Sequence, residues 1–329
     1  MRTSPPASAP LRPGPAQASS LHRQETRGLA LGLLGVAIFA LTLPMTRLAV
    51  GTPEAPLMSG LFIAMGRAAV AGVLSALLLI AQRAPLPRRA DWGPLALTAL
   101  GVVFGFPLLS SIAMRHVGAV HASVIVGALP LATAAVGALL HRQRPSRGFW
   151  ACALLGAALV VGFALLRSGS AGLVLHPADL LLLGAVLCAA VGYGYGARLS
   201  QHLRADTVIC WALVISLPAT LPLGLLSWPA APVPASAWAA FGYVAVFSMW
   251  LGFFAWYRGL ALGGTVRVSQ VQLVQPFFSM LLAVPLLGER LDALTLGFGV
   301  AVIATVFLGR RMPVQSRTTI TTLTSRGTP

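Results

Sequence analysis

Ten long apolar segments follow one another along this chain, and short polar breaks separate them. A helix needs roughly 20 predominantly apolar residues to cross a bilayer, and the segments come close to this length. The breaks are clusters of Pro, Gly and Arg such as QRAPLPRRADW and HRQRPSR, which favour turns. The pattern predicts an all-α membrane protein with ten transmembrane helices. The predicted spans are residues 28–48, 58–81, 94–114, 118–140, 148–167, 178–198, 207–227, 237–258, 266–287 and 293–309.

The two ends of the chain do not follow this pattern. Residues 1–27 are rich in Pro, Ala, Ser and Arg, and residues 312–329 are rich in Thr. These compositions predict disordered cytoplasmic tails. Between the tails we expect two five-helix units, at residues 28–167 and 178–311. The first apolar segment is longer than the about 7–15 residues of a signal-peptide core, so we interpret it as a retained span.

Composition supports the membrane class. The 329 residues are 57% hydrophobic and only 9% charged, whereas a soluble domain carries about 25% charged residues. All 23 basic residues are Arg, and the formal net charge is +16. In a soluble protein this charge would indicate nucleic-acid binding, but Arg in the loops of a membrane protein sets its orientation. We therefore expect a lipid bilayer as the surroundings and no nucleic-acid partner.

The distribution of Arg predicts the orientation. If the N-terminus is cytoplasmic, the tails hold eight Arg and the loops on the same side hold ten, whereas the opposite side holds four and Arg67 lies within a span. Because Lys and Arg accumulate on the cytoplasmic side, this bias predicts that both termini are cytoplasmic. We expect a multi-pass protein of the inner (plasma) membrane.

The chain resembles itself when it is shifted by 146 residues. Trp92 then aligns with Trp238, and Pro130 aligns with Pro276. The boundaries of the third and eighth spans coincide as well, as do those of the fourth and ninth. Because each repeat has five spans, an odd number, the second repeat must be inverted relative to the first. Inverted repeats are typical of secondary transporters, whose substrate site lies near the bilayer midplane where the repeats meet.

A polar face occurs at the same place in both halves. In the ninth span it comprises Ser269, Gln272, Pro276 and Ser279, and in the fourth span Ser123, Gly127, Pro130, Thr133 and Gly137. This spacing places each set on one side of a helix. Polar and small residues face protein or water rather than lipid. The face therefore either lines a substrate path or packs against another helix, and the mid-helix Pro of each set predicts a bend.

Four stretches of the chain carry a family resemblance. They are GLALGLLGVAIFALTLPMTRLAV, LFIAMGRAAVAGVLSALLL, AMRHVGAVHASVIVGALPLATAAVGALL and GLALGGTVRVSQVQLVQPFFSMLLAVPLLGERLDALTLGFGVAVIATVFLGRR. In this order they resemble the first two helices, a stretch of the first repeat, and the equivalent closing pattern of the EamA-type ten-helix members of the drug/metabolite transporter superfamily. The resemblance covers residues 28–311 and implies export of small organic metabolites, with amino acids as the favoured class.

Two positions depart from the family pattern. Gln143 stands where the first repeat commonly has Glu, and Phe39 stands where the first helix often has Trp. A neutral Gln143 removes the argument that one carboxylate role is shared by both repeats. We interpret Glu289, in the corresponding loop of the second repeat, as a helix-end cap and ion-pair partner rather than a substrate ligand.

The segment Gly192-Tyr193-Gly194-Tyr195-Gly196 is close to the Gly-Tyr-Gly of a potassium-channel filter. A filter is an extended loop, whereas this segment lies inside an uninterrupted apolar run. We therefore interpret Gly192 and Gly196 as a GxxxG face on which a neighbouring helix packs closely. Tyr193 and Tyr195 either line the path or lie in an aromatic belt.

Arg67 is the most informative single residue, because a charge near the middle of a span is costly and functional by default. It either meets a substrate carboxylate or another anion, or it is a structural Arg held by backbone carbonyls. Aromatic and amide side chains of spans eight and nine complete the candidate set. The predicted substrate path comprises Arg67, Ser123, Pro130, Tyr193, Tyr195, Trp250, Tyr257, Ser269, Gln272, Gln275 and Pro276.

Other classes of function find less support in the residues. Asp and Glu are absent from the middle of every predicted span, so the sequence favours facilitated diffusion or coupling through a less obvious group. The three Cys match no metal motif, and we expect neither a metal nor a cofactor. We expect a small-molecule substrate and a monomer or homodimer. The alternatives, a membrane-embedded enzyme or a structural or sensory membrane protein, would need clustered acid and His residues at one face or a soluble partner domain.

Overall fold

The computed structural model describes residues 15–140, 144–167, 176–263, 270–311 and 314–315. Apart from loops, these residues are helical except for one short antiparallel strand pair, β1 (Arg144–Pro145) and β2 (Val314–Gln315). The predicted all-α class is confirmed.

The first half of the described chain consists of helices joined by short loops. They are α1 (Pro15–Ala40), α2 (Thr42–Val50), α3 (Gly60–Ala81), α4 (Trp92–Thr98), α5 (Phe106–Ala113), α6 (Ala119–Val126), α7 (Leu129–Leu140) and α8 (Arg147–Arg167). A 3₁₀ turn, Arg89–Asp91, precedes α4. A π-helical segment, Ala99–Gly105, joins α4 to α5.

The second half repeats this organisation. Its helices are α9 (Pro177–Leu199), α10 (Ala205–Leu226), α11 (Ala235–Gly242), α12 (Gly252–Gly263), α13 (Gln275–Leu287) and α14 (Ala293–Arg311). A π-helical segment, Tyr243–Leu251, joins α11 to α12, and a 3₁₀ segment, Gln270–Val274, leads into α13. Both π-helical segments occupy corresponding positions of the two halves, since residues 99–105 shifted by 146 become 245–251.

Seven helical segments of the described chain are long and apolar enough to cross a membrane. They are Thr26–Val50, Gly60–Ala81, Arg89–Ala113, Ala119–Gly137, Pro177–Leu199, Ala205–Leu226 and Ala235–Leu262. Three further apolar helices, Trp150–Phe163, Gln275–Leu287 and Ala293–Thr305, are shorter. The chain is therefore a multi-pass membrane protein, and the count of ten spans stays a prediction.

One predicted boundary is wrong. Helix α1 begins at Pro15, so residues 15–27 are helical and do not belong to a disordered tail. The segment before the first apolar run includes Ala, Gln and Leu, which favour helices, and it extends the helix out of the apolar region. Residues 1–14 and 316–329 lie outside the described part of the chain.

Local sequence signals fix several helix ends. The Ser59 hydroxyl accepts a hydrogen bond from the Phe62 N–H at 3.0 Å and caps the start of α3. Pro177 occupies the first position of α9, where a missing N–H costs nothing. Gly288 follows α13 with a φ of +66° and ends the helix in the left-handed conformation that glycine tolerates.

The two halves are interleaved rather than side by side. Helix α3 packs on α10, α1 on α12, α8 on α14, α6 on α13, and α9 on both α5 and α7. Each of these pairs joins a helix of the first half to a helix of the second. The core is therefore shared, and a cavity at its centre draws residues from both halves.

Candidate functional site

Two small adjoining chambers lie between the halves. The first, of about 30 Å³, is lined by Phe39, Thr42, Leu43, Arg67, Val102, Phe106, Val126, Leu129, Ala189, Tyr193, Ser248, Met249, Phe253 and Gln275. The second, of about 10 Å³, is lined by Leu43, Ser123, Val126, Leu129, Pro130, Gln272, Gln275, Pro276 and Ser279. The chambers share Leu43, Val126, Leu129 and Gln275, so they adjoin, and together they are called the central cavity. Its volume is near that of a single water molecule, and a larger solute requires the lining to open.

Arg67 lies on α3 and lines the first chamber. Its side chain is 1% exposed, and neither Nε nor Nη1 has a hydrogen-bond partner among the described residues. The structural interpretation of Arg67 required backbone carbonyls as partners, and these two nitrogens have none. A buried cation with unpaired N–H groups is costly, so an anionic group entering the chamber would be stabilised there.

Hydroxyl groups of both halves meet at the first chamber. Thr42 Oγ1 and Ser248 Oγ lie 2.8 Å apart and hydrogen bond across the interface. Tyr193 lines the same chamber, and its ring lies edge-on to Phe253 with centroids 6.1 Å apart. This chamber therefore combines one cation with hydroxyls and an aromatic wall.

The second chamber carries amide and hydroxyl groups that have no partner of their own. Both polar atoms of the Gln272 amide, Gln275 Oε1 and Ser279 Oγ are buried without a hydrogen-bond partner among the described residues. Ser123 differs, because its hydroxyl donates to the Ala119 carbonyl at 2.6 Å. Unsatisfied buried polar groups cost about 1–3 kcal/mol each. These groups are therefore available to a polar solute.

Pro130 and Pro276 each lie in the first turn of an α-helix. Helix α6 ends at Val126, and α7 begins again at Leu129, directly before Pro130. In the second half the 3₁₀ segment ends at Val274 and α13 begins at Gln275, directly before Pro276. Proline lacks an N–H and is tolerated in the first turn of a helix. The predicted bend is thus a short turn between α6 and α7 in the first half and a direct change from 3₁₀ helix to α-helix in the second.

Several predicted residues do not line either chamber. Tyr257 is fully buried and contacts Phe253 at 5.5 Å between ring centroids. Trp250 packs edge-on to Phe254 with centroids 5.0 Å apart, and Tyr195 is half-buried. Ser269 and Gln143 lie outside the described residues. Arg67, Ser123, Pro130, Tyr193, Gln272, Gln275 and Pro276 are brought together.

The Gly-Tyr-Gly segment is part of helix α9 and forms no extended loop. A Cβ at Gly192 would lie 2.6 Å from Val102 Cγ1 and 3.2 Å from the Thr98 carbonyl oxygen. A Cβ at Gly196 would collide with the hydroxyl of Tyr257. Both glycines therefore lie where another segment approaches the helix backbone.

A larger vestibule of about 450 Å³ opens at one end of the molecule. Its lining residues are Arg47, His116, Val117, Gly118, Val120, His121, His176, Asp179, Glu289 and Arg290. Arg47 Nη1 donates to the carbonyls of Met114 and Arg115, at 2.5 and 2.7 Å, and so braces one wall.

Glu289 caps a helix of the opposite half. Its Oε1 accepts from the Ala119 N–H at 2.6 Å and its Oε2 from the Val120 N–H at 2.7 Å. A carboxylate satisfies the free N–H groups at a helix start and complements the helix dipole. The cap expected from the sequence is confirmed, but the capped helix is α6 of the first half.

His121 and Asp179 form a pair that the sequence analysis missed. His121 Nε2 lies 2.7 Å from Asp179 Oδ1, and the two side chains are 16% and 2% exposed. Asp179 is in the first turn of α9, at the very end of a predicted span, and His121 is in the first turn of α6. The sequence showed only an acid beside an apolar run. It did not indicate the pair, because the histidine lies 58 positions away from the acid along the chain.

Comparisons with known proteins agree with one another. Residues 26–166 and 176–310 each match the EamA-like transporter family. Over 290 residues the chain is 43% identical to "Uncharacterized transporter YdeK" of Bacillus subtilis (strain 168). The aligned region covers 87% of this chain and 98% of that protein. A solved crystal structure shares 17% identity with a TM-score of 0.57, over 86% of this chain and 96% of the other. At that identity the likeness shows a shared fold alone.

Proposed function

The chain belongs to the EamA-like transporter family, and from this premise we propose that it is a secondary transporter that exports small organic metabolites such as amino acids. The proposed cycle is alternating access between two inverted five-helix repeats, with ten spans in all. The protein acts as a monomer or homodimer and carries out no covalent chemistry.

The shared cavity supports this cycle. Its lining comes from both family-matched segments, and Pro130 and Pro276, each in the first turn of a helix, line it at corresponding places. Secondary transporters place substrate sites near the midplane, between repeats. The nearly closed centre fits an occluded conformation of this cycle.

The unpaired nitrogens of Arg67 are the observation that supports a carboxylate-bearing substrate. A buried guanidinium whose Nε and Nη1 lack partners favours a carboxylate, which accepts charge-assisted hydrogen bonds from such N–H groups. The Gln272 and Gln275 amides can receive the remaining polar groups of the solute, and Phe39 and Phe253 give an apolar wall. A small zwitterion with a short side chain fits this combination.

We further propose an inner-membrane location with both termini cytoplasmic, on the evidence of the Arg distribution. In this orientation the vestibule faces the outside of the cell.

Counterflow in liposomes of phosphatidylethanolamine and phosphatidylglycerol tests the proposal. Vesicles loaded with an unlabelled amino-acid mixture should take up the same ¹⁴C-labelled mixture. The corresponding decarboxylated amines should exchange poorly, because they lack the group that meets Arg67. Equal exchange of amines and amino acids would contradict the role of Arg67, and no exchange of any amino acid would contradict the substrate class.

A further inference from the structure

We propose that the His121–Asp179 pair is the proton-binding site through which transport is coupled to the proton gradient. The inference rests on the proposed function, because a coupling site has meaning only in a transporter. It concerns residues outside the central cavity.

The pair joins the two halves of the molecule. His121 lies on α6 of the first half, Asp179 lies on α9 of the second, and 2.7 Å separates His121 Nε2 from Asp179 Oδ1. The ring of His121 also contacts Phe163, with centroids 4.9 Å apart. A change in the charge of this pair therefore acts directly on an interface between the halves.

The carboxylate of Asp179 supplies a fixed negative charge. It is 2% exposed and lies in the first turn of α9, where the positive end of the helix dipole favours an anion. Imidazole side chains change charge between pH 5 and 8. With a proton on His121 the pair is neutral overall, and without it the buried carboxylate is left uncompensated. Burial of an uncompensated charge is costly, so loss of the proton weakens the contact between α6 and α9.

Water reaches the pair from one side. The vestibule is lined by both His121 and Asp179, and His121 is the more exposed of the two. A proton from the solution therefore binds at the imidazole while the carboxylate stays behind it. Two residues further along α6, Ser123 lines the central cavity, so movement of α6 connects the proton site with the substrate site.

Other titratable and charged groups face the same vestibule. Glu289 accepts hydrogen bonds from the N–H groups at the start of α6, and Arg47 donates hydrogen bonds to backbone carbonyls. Nδ1 of His176 accepts from the Ala178 N–H at 3.2 Å, and the His116 ring lies 6.5 Å from that of His176. Arg290 is exposed at the rim. Within the described residues, His121 is the imidazole of this vestibule that is paired with a buried carboxylate.

A second pair provides a matched control. His202 Nε2 lies 2.9 Å from Asp91 Oδ1, but His202 is 44% exposed and lines neither the vestibule nor the central chambers. His202→Gln therefore removes an imidazole–carboxylate pair without touching the proposed site.

The experiment compares exchange with gradient-driven accumulation in the same liposomes, using the ¹⁴C-labelled amino-acid mixture as probe. A gradient of one pH unit, applied in either direction, limits one-proton coupling to about tenfold accumulation of a neutral solute. The wild type and His202→Gln should accumulate label several-fold under one direction of the gradient. His121→Gln and Asp179→Asn should keep counterflow but fall to the gradient-free level, and Asp179→Glu should restore part of the accumulation.

Two results would overturn the coupling site while leaving the proposed function intact. One is gradient-driven accumulation that survives in both His121→Gln and Asp179→Asn. The other is normal counterflow of the wild type without accumulation in either direction of the gradient.

If the wild type shows no counterflow, the substrate class fails and proton binding decides the inference by itself. ¹⁵N-histidine NMR of the full-length protein, assigned with His121→Gln, follows protonation of His121 between pH 5 and 8. The His121 signals should respond to pH, and the response should differ in Asp179→Asn because the carboxylate contacts the ring. A His121 signal that does not respond to pH in this range, or the same response in Asp179→Asn, overturns the proposal.

Discussion

At the scale of single residues, Arg67 is the proposed ligand of the substrate carboxylate. Arg67→Ala removes the only cation that lines the two described chambers. We expect normal protein in the membrane and loss of counterflow for carboxylate-bearing solutes. Arg67→Lys should rescue only in part, because Lys lacks the planar fork that a carboxylate matches.

The exposed Arg258→Ala on α12 is the control for these variants and should leave counterflow unchanged. Arg67→Ala protein that is made in normal amounts and transports amino acids normally would show that Arg67 is no substrate ligand. Failure of the variant to accumulate, with Arg67→Lys restoring it, would assign Arg67 a structural role.

Gln272 should contribute less than Arg67 to transport. Its amide is 2% exposed and has no hydrogen-bond partner among the described residues. A neutral hydrogen bond contributes about 0.5–1.5 kcal/mol net, so Gln272→Ala should raise the KM for an amino acid by about two- to tenfold. The exposed Gln201→Ala serves as control. A Gln272→Ala protein with an unchanged KM would exclude Gln272 as a ligand.

At the scale of elements, Gly192 allows α9 to approach the π-helical segment at residues 99–105. Its backbone meets the side chain and backbone of Val102 and the carbonyl of Thr98. Gly192→Leu should therefore lower the free energy of unfolding by about 1–3 kcal/mol, as overpacking usually does. Thermal unfolding of purified protein in detergent measures this change.

Gly297→Leu is the matched control for this prediction, since a Cβ at Gly297 meets nothing within 4 Å. Equal unfolding temperatures for the two Leu variants would contradict the close-packing role of Gly192. Potassium conductance of the reconstituted wild type would instead revive the channel-filter interpretation.

The Glu289 cap gives a second prediction for elements. Glu289→Ala leaves two N–H groups of α6 without their carboxylate and should lower the free energy of unfolding by about 0.5–2 kcal/mol. Glu289→Gln should lose less, because one oxygen remains. Glu54→Ala, an exposed acid of a neighbouring loop, is the control. If Glu289→Ala unfolds like Glu54→Ala, the cap does not stabilise α6.

At the scale of the whole molecule, orientation can be tested directly. Reporter fusions at residue 329 and in the loop at Ala231 should give cytoplasmic and periplasmic signals, respectively, because the Arg-rich loops lie on the side of the termini. The reverse pair of signals would contradict the predicted orientation and place the vestibule on the cytoplasmic side.

The sequence predicted the helices well, because lipid selects apolar runs whose length is fixed by the bilayer. It also singled out Arg67, which lines the first chamber, since one charge stands out in an apolar run. It missed the break between α6 and α7, because a Pro in an apolar segment is compatible with a bend or with a new start. It could not pair Thr42 with Ser248 or His121 with Asp179, since those contacts are made by folding over distances of 206 and 58 residues.

The position of Glu289 also affects the order of events during synthesis of the chain. The cap lies 170 residues beyond the first N–H that it satisfies. At ribosomal rates of about 5–20 residues per second, α6 is synthesised roughly 10–30 s before its cap exists. During this interval the start of α6 must remain in contact with water or the lipid headgroups. A ribosome that stalls before residue 289 therefore leaves a nascent chain with an unfinished helix end, open to proteases until translation resumes.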